Sequence, residues 1–299
     1  MNKPIQVTPA SLRRLALPSL DDEADKDARG RVLLVGGCAE NPGGLLLAAE
    51  AAMRAGAGKL QLATTHAVSV AVAIAVPEAR VFGHPGKPDS ISPRAAQEIA
   101  ERANRVNALL VGPGLVDEDA AARLARGILR ELEHPAVVLD AGGLAALRED
   151  ADAARHLDGR VVLTPHAGEM AQLLDMERDD VEADPEAAAR TAVARFGTVV
   201  ALKGPRTIIV GPEGTAYQYE GGGVGLATSG SGDVLGGIVA GLLARGAEPV
   251  TAAVWGVYLH GEAGNALARR TGAVGFLARE LPAEVPAILH RMSEDDGEG

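Results

Sequence analysis

The sequence has a single cysteine, Cys38, in 299 residues. That excludes an intrachain disulfide framework and a zinc ribbon, both of which need several thiols. Aromatic residues make up only 2%, so a core has to be built from Ala, Val, Leu and Ile, which suits close packing of helices on a sheet. Basic residues are in the minority, 29 against 40 acidic ones, for a formal net charge of −11. Such a chain repels a phosphate backbone, and nucleic acid is not expected as a partner. Long apolar runs are also missing. The most apolar stretch, residues 67–76, is far too short to cross a bilayer, and residues 1–21 hold no continuous apolar segment of the kind a leader needs. These absences lead us to expect a soluble, cytoplasmic enzyme of small molecules, with no membrane partner.

Glycine is abundant, with 37 residues gathered between elements at no fixed period, as sharp turns and ligand-facing loops require. From Arg31 onward, short β-branched or Leu-rich runs (31–35, 59–63, 108–111, 136–140, 160–163, 198–202) alternate with Ala-rich stretches of helical period, among them 42–55, 117–132 and 185–195. Continuous apolar strands alternating with helices predict an α/β fold with a mostly parallel central sheet covered on both faces. Residues 207–210 and 215–219, separated by Gly211-Pro212-Glu213-Gly214, predict a late β-hairpin. After Gly221-Gly222-Gly223 the pattern is wholly helical, over 232–244, 250–269 and 277–291. With no internal repeat and no separating linker, residues 31–291 are expected to form one catalytic domain. A surface lead-in over 1–30, with an acidic stretch at 21–27, would precede it, and a disordered acidic tail over 292–299 would follow.

The segment with most chemical content runs Gly225-Leu226-Ala227-Thr228-Ser229-Gly230-Ser231-Gly232-Asp233, a Gly/Ser/Thr loop leading straight into an Ala/Leu/Val helix. Amides at a helix start point the same way and carry the positive end of the dipole, so those around Gly230, Ser231 and Gly232 can hold an anion. Asp233, in the first turn, would repel a resting phosphate but could take a proton from an attacking hydroxyl. A simple helix cap explains the same residues equally well taken alone. A dinucleotide fingerprint is disfavoured because Leu235 stands where its third Gly belongs, and no Gly-x-x-x-x-Gly-Lys-Ser/Thr occurs.

The Gly-x-Gly-Asp helix start resembles the anion hole and catalytic Asp of the ribokinase-like superfamily. Four other blocks narrow the resemblance to the ADP/ATP-dependent (S)-NAD(P)H-hydrate dehydratases. They are Leu163-Thr164-Pro165-His166-Ala167-Gly168-Glu169-Met170, Gly43-Gly44-Leu45-Leu46-Leu47-Ala48 with its continuation to Gly58, Val111-Gly112-Pro113-Gly114-Leu115, and Leu202-Lys203-Gly204-Pro205-Arg206-Thr207. The blocks keep the family's order across roughly residues 30 to 290. The chain departs from the family at Asp140-Ala141-Gly142-Gly143-Leu144-Ala145, where relatives usually show Asp-Ala-Asp-Ala-Leu-Asn. The second Asp and the Asn are replaced by Gly142 and Ala145.

The resemblance implies a three-layer αβα sandwich that returns hydrated NADH or NADPH to the intact coenzyme, a metabolite repair. It implies that ADP or ATP phosphorylates the ring hydroxyl and that phosphate then departs. It further implies Asp233 as base, with Gly230, Ser231 and Gly232 stabilising the phosphoryl group. Lys203, Gly204, Pro205, Arg206, Thr207 and Gly232 would hold the nucleotide. Gly44, Gly112, Gly114, His166 and Asp233 would meet the substrate. Glu169 would hold Mg2+ through water, or serve only as a first-turn carboxylate, and the relatives' assembly implies a homotetramer. The remaining histidines, His66, His84, His134, His156, His260 and His290, show no metal spacing and are expected on surfaces or helix ends; Cys38 is expected to be passive. Two other functions fit the same residues: a true kinase of thiazole or hydroxymethylpyrimidine type, and a non-catalytic nucleotide sensor, which the changes at 142 and 145 would suit.

Overall fold

Successive residues of the strand Arg31–Val35 face opposite ways: Val32 and Leu34 enter one apolar cluster, Leu33 and Val35 another. A run with no polar alternation has to be covered on both faces in this way. The computed structural model describes residues 3–19 and 26–294. Its strands are β1 (Ile5–Gln6), β2 (Arg31–Val35), β3 (Lys59–Thr65), β4 (Ala79–His84), β5 (Gly86–Lys87), β6 (Ser90–Ile91), β7 (Ala108–Val111), β8 (Ala136–Leu139), β9 (Val161–Leu163), β10 (Val199–Leu202), β11 (Thr207–Val210) and β12 (Ala216–Tyr219). Ten of them form one sheet in the order β1-β12-β11-β10-β9-β8-β7-β2-β3-β4, and β5 and β6 make a separate small hairpin. All pairings in the large sheet are parallel except those of β11 with β10 and β12. The expected late hairpin is therefore present at β11–β12.

The helices are α1 (Pro9–Leu12), α2 (Gly43–Arg54), α3 (Ser69–Ala75), α4 (Ala96–Ala103), α5 (Glu118–Arg130), α6 (Ala145–Glu149), α7 (Ala167–Leu174), α8 (Arg178–Ala183), α9 (Pro185–Phe196), α10 (Ser231–Ala244), α11 (Pro249–Thr271) and α12 (Leu281–Glu294). Helices α2, α10, α11 and α12 build the cluster on one face of the sheet, and α4 to α9 build the other. The result is a three-layer αβα sandwich. None of its helices is long and apolar enough to cross a membrane, among the described residues.

Glycine and alanine, not aromatics, bring α2 and α10 together. A Cβ placed on Gly237 would stand 2.3 Å from the Ala48 carbonyl oxygen, and one on Gly241 would stand 2.4 Å from that of Ala52. Backbones this close leave no room for larger side chains at this contact. The same register carried to the N-terminal ends of the two helices sets Gly44 against Asp233.

Three expectations need correction. Residues 1–30 are not wholly a surface lead-in: β1 pairs in parallel with β12 at the sheet edge, and Leu12 is fully buried. The first residues of the acidic stretch, 21–25, lie outside the described residues, whereas Asp27 pairs with Arg31 and Lys59. The acidic tail begins later than residue 292, because α12 runs to Glu294; residues 295–299 lie outside the described residues. The apolar stretch at 67–76 is the short helix α3 leading to β4, an edge strand absent from the expected set.

Candidate active site

The C-terminal ends of β2, β7, β8, β9 and β10 lead directly into Gly36, Gly112, Asp140, Thr164 and Lys203, the rim where open α/β sheets bind ligands. Gly112 makes one part of that rim possible. Its φ is +136°, and a Cβ there would fall 1.7 Å from the Asp140 carbonyl oxygen. Gly112→Ala should therefore cost about 2–5 kcal/mol through backbone strain and a collision that no rotamer relieves. A denaturation midpoint equal to that of the unsubstituted chain would refute that.

Asp233 sits in the first turn of α10, partly buried. An ideal Cβ on Gly44 would lie 3.1 Å from both of its carboxylate oxygens and 2.9 Å from the Gly114 amide nitrogen. Gly44, Gly114 and Asp233 thus converge on one spot, with Gly112 at the base of the same turn. The Ser231 amide is spent on the Thr228 carbonyl and the Val234 amide on that of Gly230. The amides of Gly230, Gly232 and Asp233 have no acceptor among the described residues, so they remain available to an anion.

A charged cluster borders this helix start. Lys203 Nζ donates to Asp140 Oδ1 at 3.0 Å and lies 3.9 Å from Glu169 Oε2. Thr164 Oγ1 donates to the same Asp140 oxygen at 2.7 Å, so Oδ1 of this buried carboxylate takes two bonds. The ammonium is also close to Gly232, within 3.2 Å of where its Cβ would stand. Burial works against the charge on Lys203, but Asp140, Glu169 and Asp233 outweigh it and hold its pKa above the ordinary value. Asp233 moves the other way for a carboxylate. Burial first, then the Asp140 charge, push it up to about 7, against the pull of Lys203 and with a further push from Glu169.

His166 caps α7. Its Nδ1 accepts from the Gly168 and Glu169 amides at 3.0 and 3.1 Å, and Glu169 Oε2 accepts from the His166 amide at 2.8 Å. An Nδ1 that accepts two bonds leaves Nε2 as the protonated nitrogen of the neutral ring, hence a donor. His166 lies where two cavities meet. The larger, about 750 Å³, is walled by Lys203, Gly204, Pro205, Thr207, Gly232 and His260, among others. The smaller, about 350 Å³, is bordered by Gly142, Ala145, Arg148 and Glu169.

Comparison with known proteins agrees with this geometry. The protein family described as NAD(P)H-hydrate dehydratase matches residues 32–287. The chain belongs to that family. An ADP-dependent (S)-NAD(P)H-hydrate dehydratase of Xanthomonas campestris is 45% identical over 289 residues, covering 96% of each chain. Among solved structures, the ADP/ATP-dependent NAD(P)H-hydrate dehydratase of Bacillus subtilis, co-crystallized with ATP/Mg2+, aligns with a TM-score of 0.81 at 29% identity, over 98% of this chain and 99% of its own. A ribokinase-like superfamily protein of Enterococcus faecalis aligns with a TM-score of 0.83 at 25% identity, over 96% of each chain. The fold is ribokinase-like.

Most of the residues named from sequence fall into two groups in this chain. Gly44, Gly114 and Asp233 are brought to one spot, with Gly112 against Asp140 at the base of the same turn, while His166, Lys203, Gly204, Pro205, Thr207, Ser231 and Gly232 share the larger cavity. Arg206 is exposed and outside that wall. Glu169 has one carboxylate oxygen engaged by the His166 amide, and among the described residues no group of three His, Cys, Asp or Glu could hold a metal.

Sequence reading missed several side chains here. His260 is not on a surface: it lines the larger cavity, its Nε2 2.9 Å from Ser231 Oγ. Burial, and to a lesser degree Lys203, push its pKa down to about 4 against a hydrogen bond with the Ser231 backbone, so the ring is neutral near pH 7. His84 is also buried, at 2% exposure. The other four histidines are exposed and Cys38 is a buried free thiol. Asp140 and Tyr219, too, were passed over. The apolar run before Asp140 marks a strand end, but nothing local signals that Lys203, 63 residues later, closes on it.

Proposed function

We propose that this chain carries out the reaction its family is named for. In this reading it dehydrates (S)-NADHX or (S)-NADPHX, the ring-hydrated coenzymes, at the expense of ADP or ATP. The observation that supports it most is Asp233, a carboxylate raised to about 7, set beside helix amides that have no acceptor among the described residues.

The chemistry follows from hydroxide being a poor leaving group and phosphate a good one. Asp233 takes the proton of the ring hydroxyl as its oxygen attacks the terminal phosphorus of the nucleotide, and the bond to the shortened nucleotide breaks. The free amides of Gly232 and Asp233 and the Lys203 ammonium stabilise the transferring phosphoryl group. The C–O bond then breaks, phosphate leaves with the electron pair, a neighbouring ring carbon gives up a proton and the C=C bond is restored. Gly204, Pro205 and Thr207 border the volume that would take the nucleotide, and His166 Nε2–H is a donor for the dinucleotide. Gly44, Gly112 and Gly114 let backbone approach the nicotinamide ring.

Mg2+ fits this donor set as an ion that brings its own phosphate oxygens and waters, because the carboxylates nearby are too few for a protein-only cage. Glu169 is the residue to meet it, and the ion would offset phosphate charge. A homotetramer and a cytoplasmic location complete the proposal. The exposed Val70 and Ile74 on α3, beside the edge strand β4, suit an assembly contact.

The deciding assay supplies hydrated NADH or NADPH with Mg2+ and either ADP or ATP. Return of the reduced-coenzyme absorbance with one inorganic phosphate per turnover is expected. A phosphorylated product that accumulates would mean a kinase, and no turnover with either donor would leave the sensor.

A further inference from the structure

Both sides of the larger cavity are tied to one turn of α11. On one side, His260 reaches Ser231, the first residue of α10 and two positions ahead of Asp233, at 2.9 Å. The Ser231 amide already bonds Thr228, so with the His260 contact this residue is fixed from two directions. On the other side, Tyr219 donates its hydroxyl to Glu262 Oε1 at 2.9 Å, Asn265 Nδ2 donates to the same oxygen at 2.9 Å, and Asn265 Oδ1 accepts from the Gly222 amide at 3.0 Å. Gly222 and Gly223 have φ of +83° and +64°. Such a loop has little conformational preference of its own and has to be held from outside.

The turn between these ties has no slack. A Cβ on Gly261 would fall 2.1 Å from the Tyr219 ring, and one on Gly264 would fall 3.0 Å from the Gly222 carbonyl oxygen and 2.8 Å from the Leu226 side chain. Tyr219, Leu226, Ser231, His260 and Gly261 all face the cavity. Helix α11, of 23 residues with most of its middle buried, is a stiff strut joining the two sides.

We propose that residues 260–265 are a brace that sets the two walls of the nucleotide cavity against each other, with His260 positioning the phosphoryl-holding helix start and Asn265 positioning the opposite wall. This rests on reading that cavity as the donor site. Neither residue is a catalytic group; each acts through the residue it holds. The neutral ring of His260 keeps the Ser231 tie free of a buried charge. The two ends have separable consequences. A shift of α10 misplaces the amides and Asp233 during transfer and lowers kcat, whereas a loosened Gly222 loop weakens ground-state nucleotide binding and raises KM.

The test uses the full chain with ADP, reading kcat, nucleotide KM, equilibrium nucleotide binding and thermal midpoint. His260→Leu should lower kcat about 10- to 100-fold, with KM changed less than about threefold. His260→Gln, which can present a polar nitrogen to Ser231, should recover most of that loss. Asn265→Ala removes the bonds to the Gly222 amide and to Glu262 and should raise KM and the dissociation constant about tenfold, with kcat within about threefold. Should His260→Leu not fold, Ser231→Ala cuts the same tie from the other side and should lower kcat in the same sense. The brace is refuted if the variants move only the thermal midpoint, if both ends change the same kinetic constant, or if His260→Gln is no better than Leu. A parent chain that returns no coenzyme would overturn the dehydratase reading instead. Nucleotide binding to Asn265→Ala would still decide the brace.

Discussion

Asp233→Asn should lower kcat by about 10²–10⁴-fold, the range for loss of a positioned general base. Asn preserves the volume wedged against Gly44 and Gly114, so geometry and nucleotide affinity should survive while proton acceptance does not. The pH profile carries more information than the loss itself. With its carboxylate raised to about 7, chiefly by burial and then by Asp140, the parent enzyme should lose rate about tenfold per pH unit below that value, as the base becomes protonated. Asp140→Asn removes the like charge that raises Asp233 and frees Lys203 to stabilise the carboxylate. Both effects lower the pKa of Asp233, so the acidic limb should move to lower pH. A limb that stays put in Asp140→Asn, or a rate within tenfold of the parent in Asp233→Asn, would remove Asp233 from the role of base.

How much of this could be read beforehand depends on whether the cause is local. Strands β2, β7, β8, β9 and β10 announce themselves because burial on both faces demands unbroken apolar runs. Strand β4 does not: as an edge strand it is half exposed, and Arg80, Gly83 and His84 interrupt the pattern. The Gly-x-Gly-Asp helix start was legible because loop, dipole and carboxylate are contiguous in the chain. The contacts that tune it were not. Lys203 and Thr164 both meet Asp140 because β10, β9 and β8 are neighbours in the sheet, and His260 meets Ser231 because α11 packs on α10. Both facts come from strand order and helix packing, which no short motif encodes. The one local signal for His260 is its place between Leu259 and Gly261 on an apolar helix, where a polar side chain needs a partner. Arg206 is a different case. Membership of a continuous block placed it with the nucleotide residues, while the turn directs it to solvent.

Asp233→Asn should also make the ligand-free chain more stable at about pH 8. The carboxylate has a pKa of about 7 when folded against an ordinary value of 3.8, so the native state binds its proton more tightly than the unfolded chain does. Stability therefore falls as pH rises from 3.8 to about 7, and the full penalty is present above that. A shift of this size corresponds to at most about 4 kcal/mol, and the buried amide of Asn returns part of it as its own desolvation cost. A net gain of about 1–3 kcal/mol is expected, which for a chain of this size raises the melting temperature by about 2–6 °C. The sign distinguishes a functional carboxylate from a helix cap: an N-terminal Asp present for the dipole is stabilising, and its removal lowers the melting temperature. The advantage of the Asn chain should shrink as the pH falls below about 7 and be gone below the ordinary carboxylate value of 3.8, where both states carry the proton. A melting temperature that drops on substitution at about pH 8, or a gap that widens in acid, would mean that the carboxylate serves the fold and not the reaction.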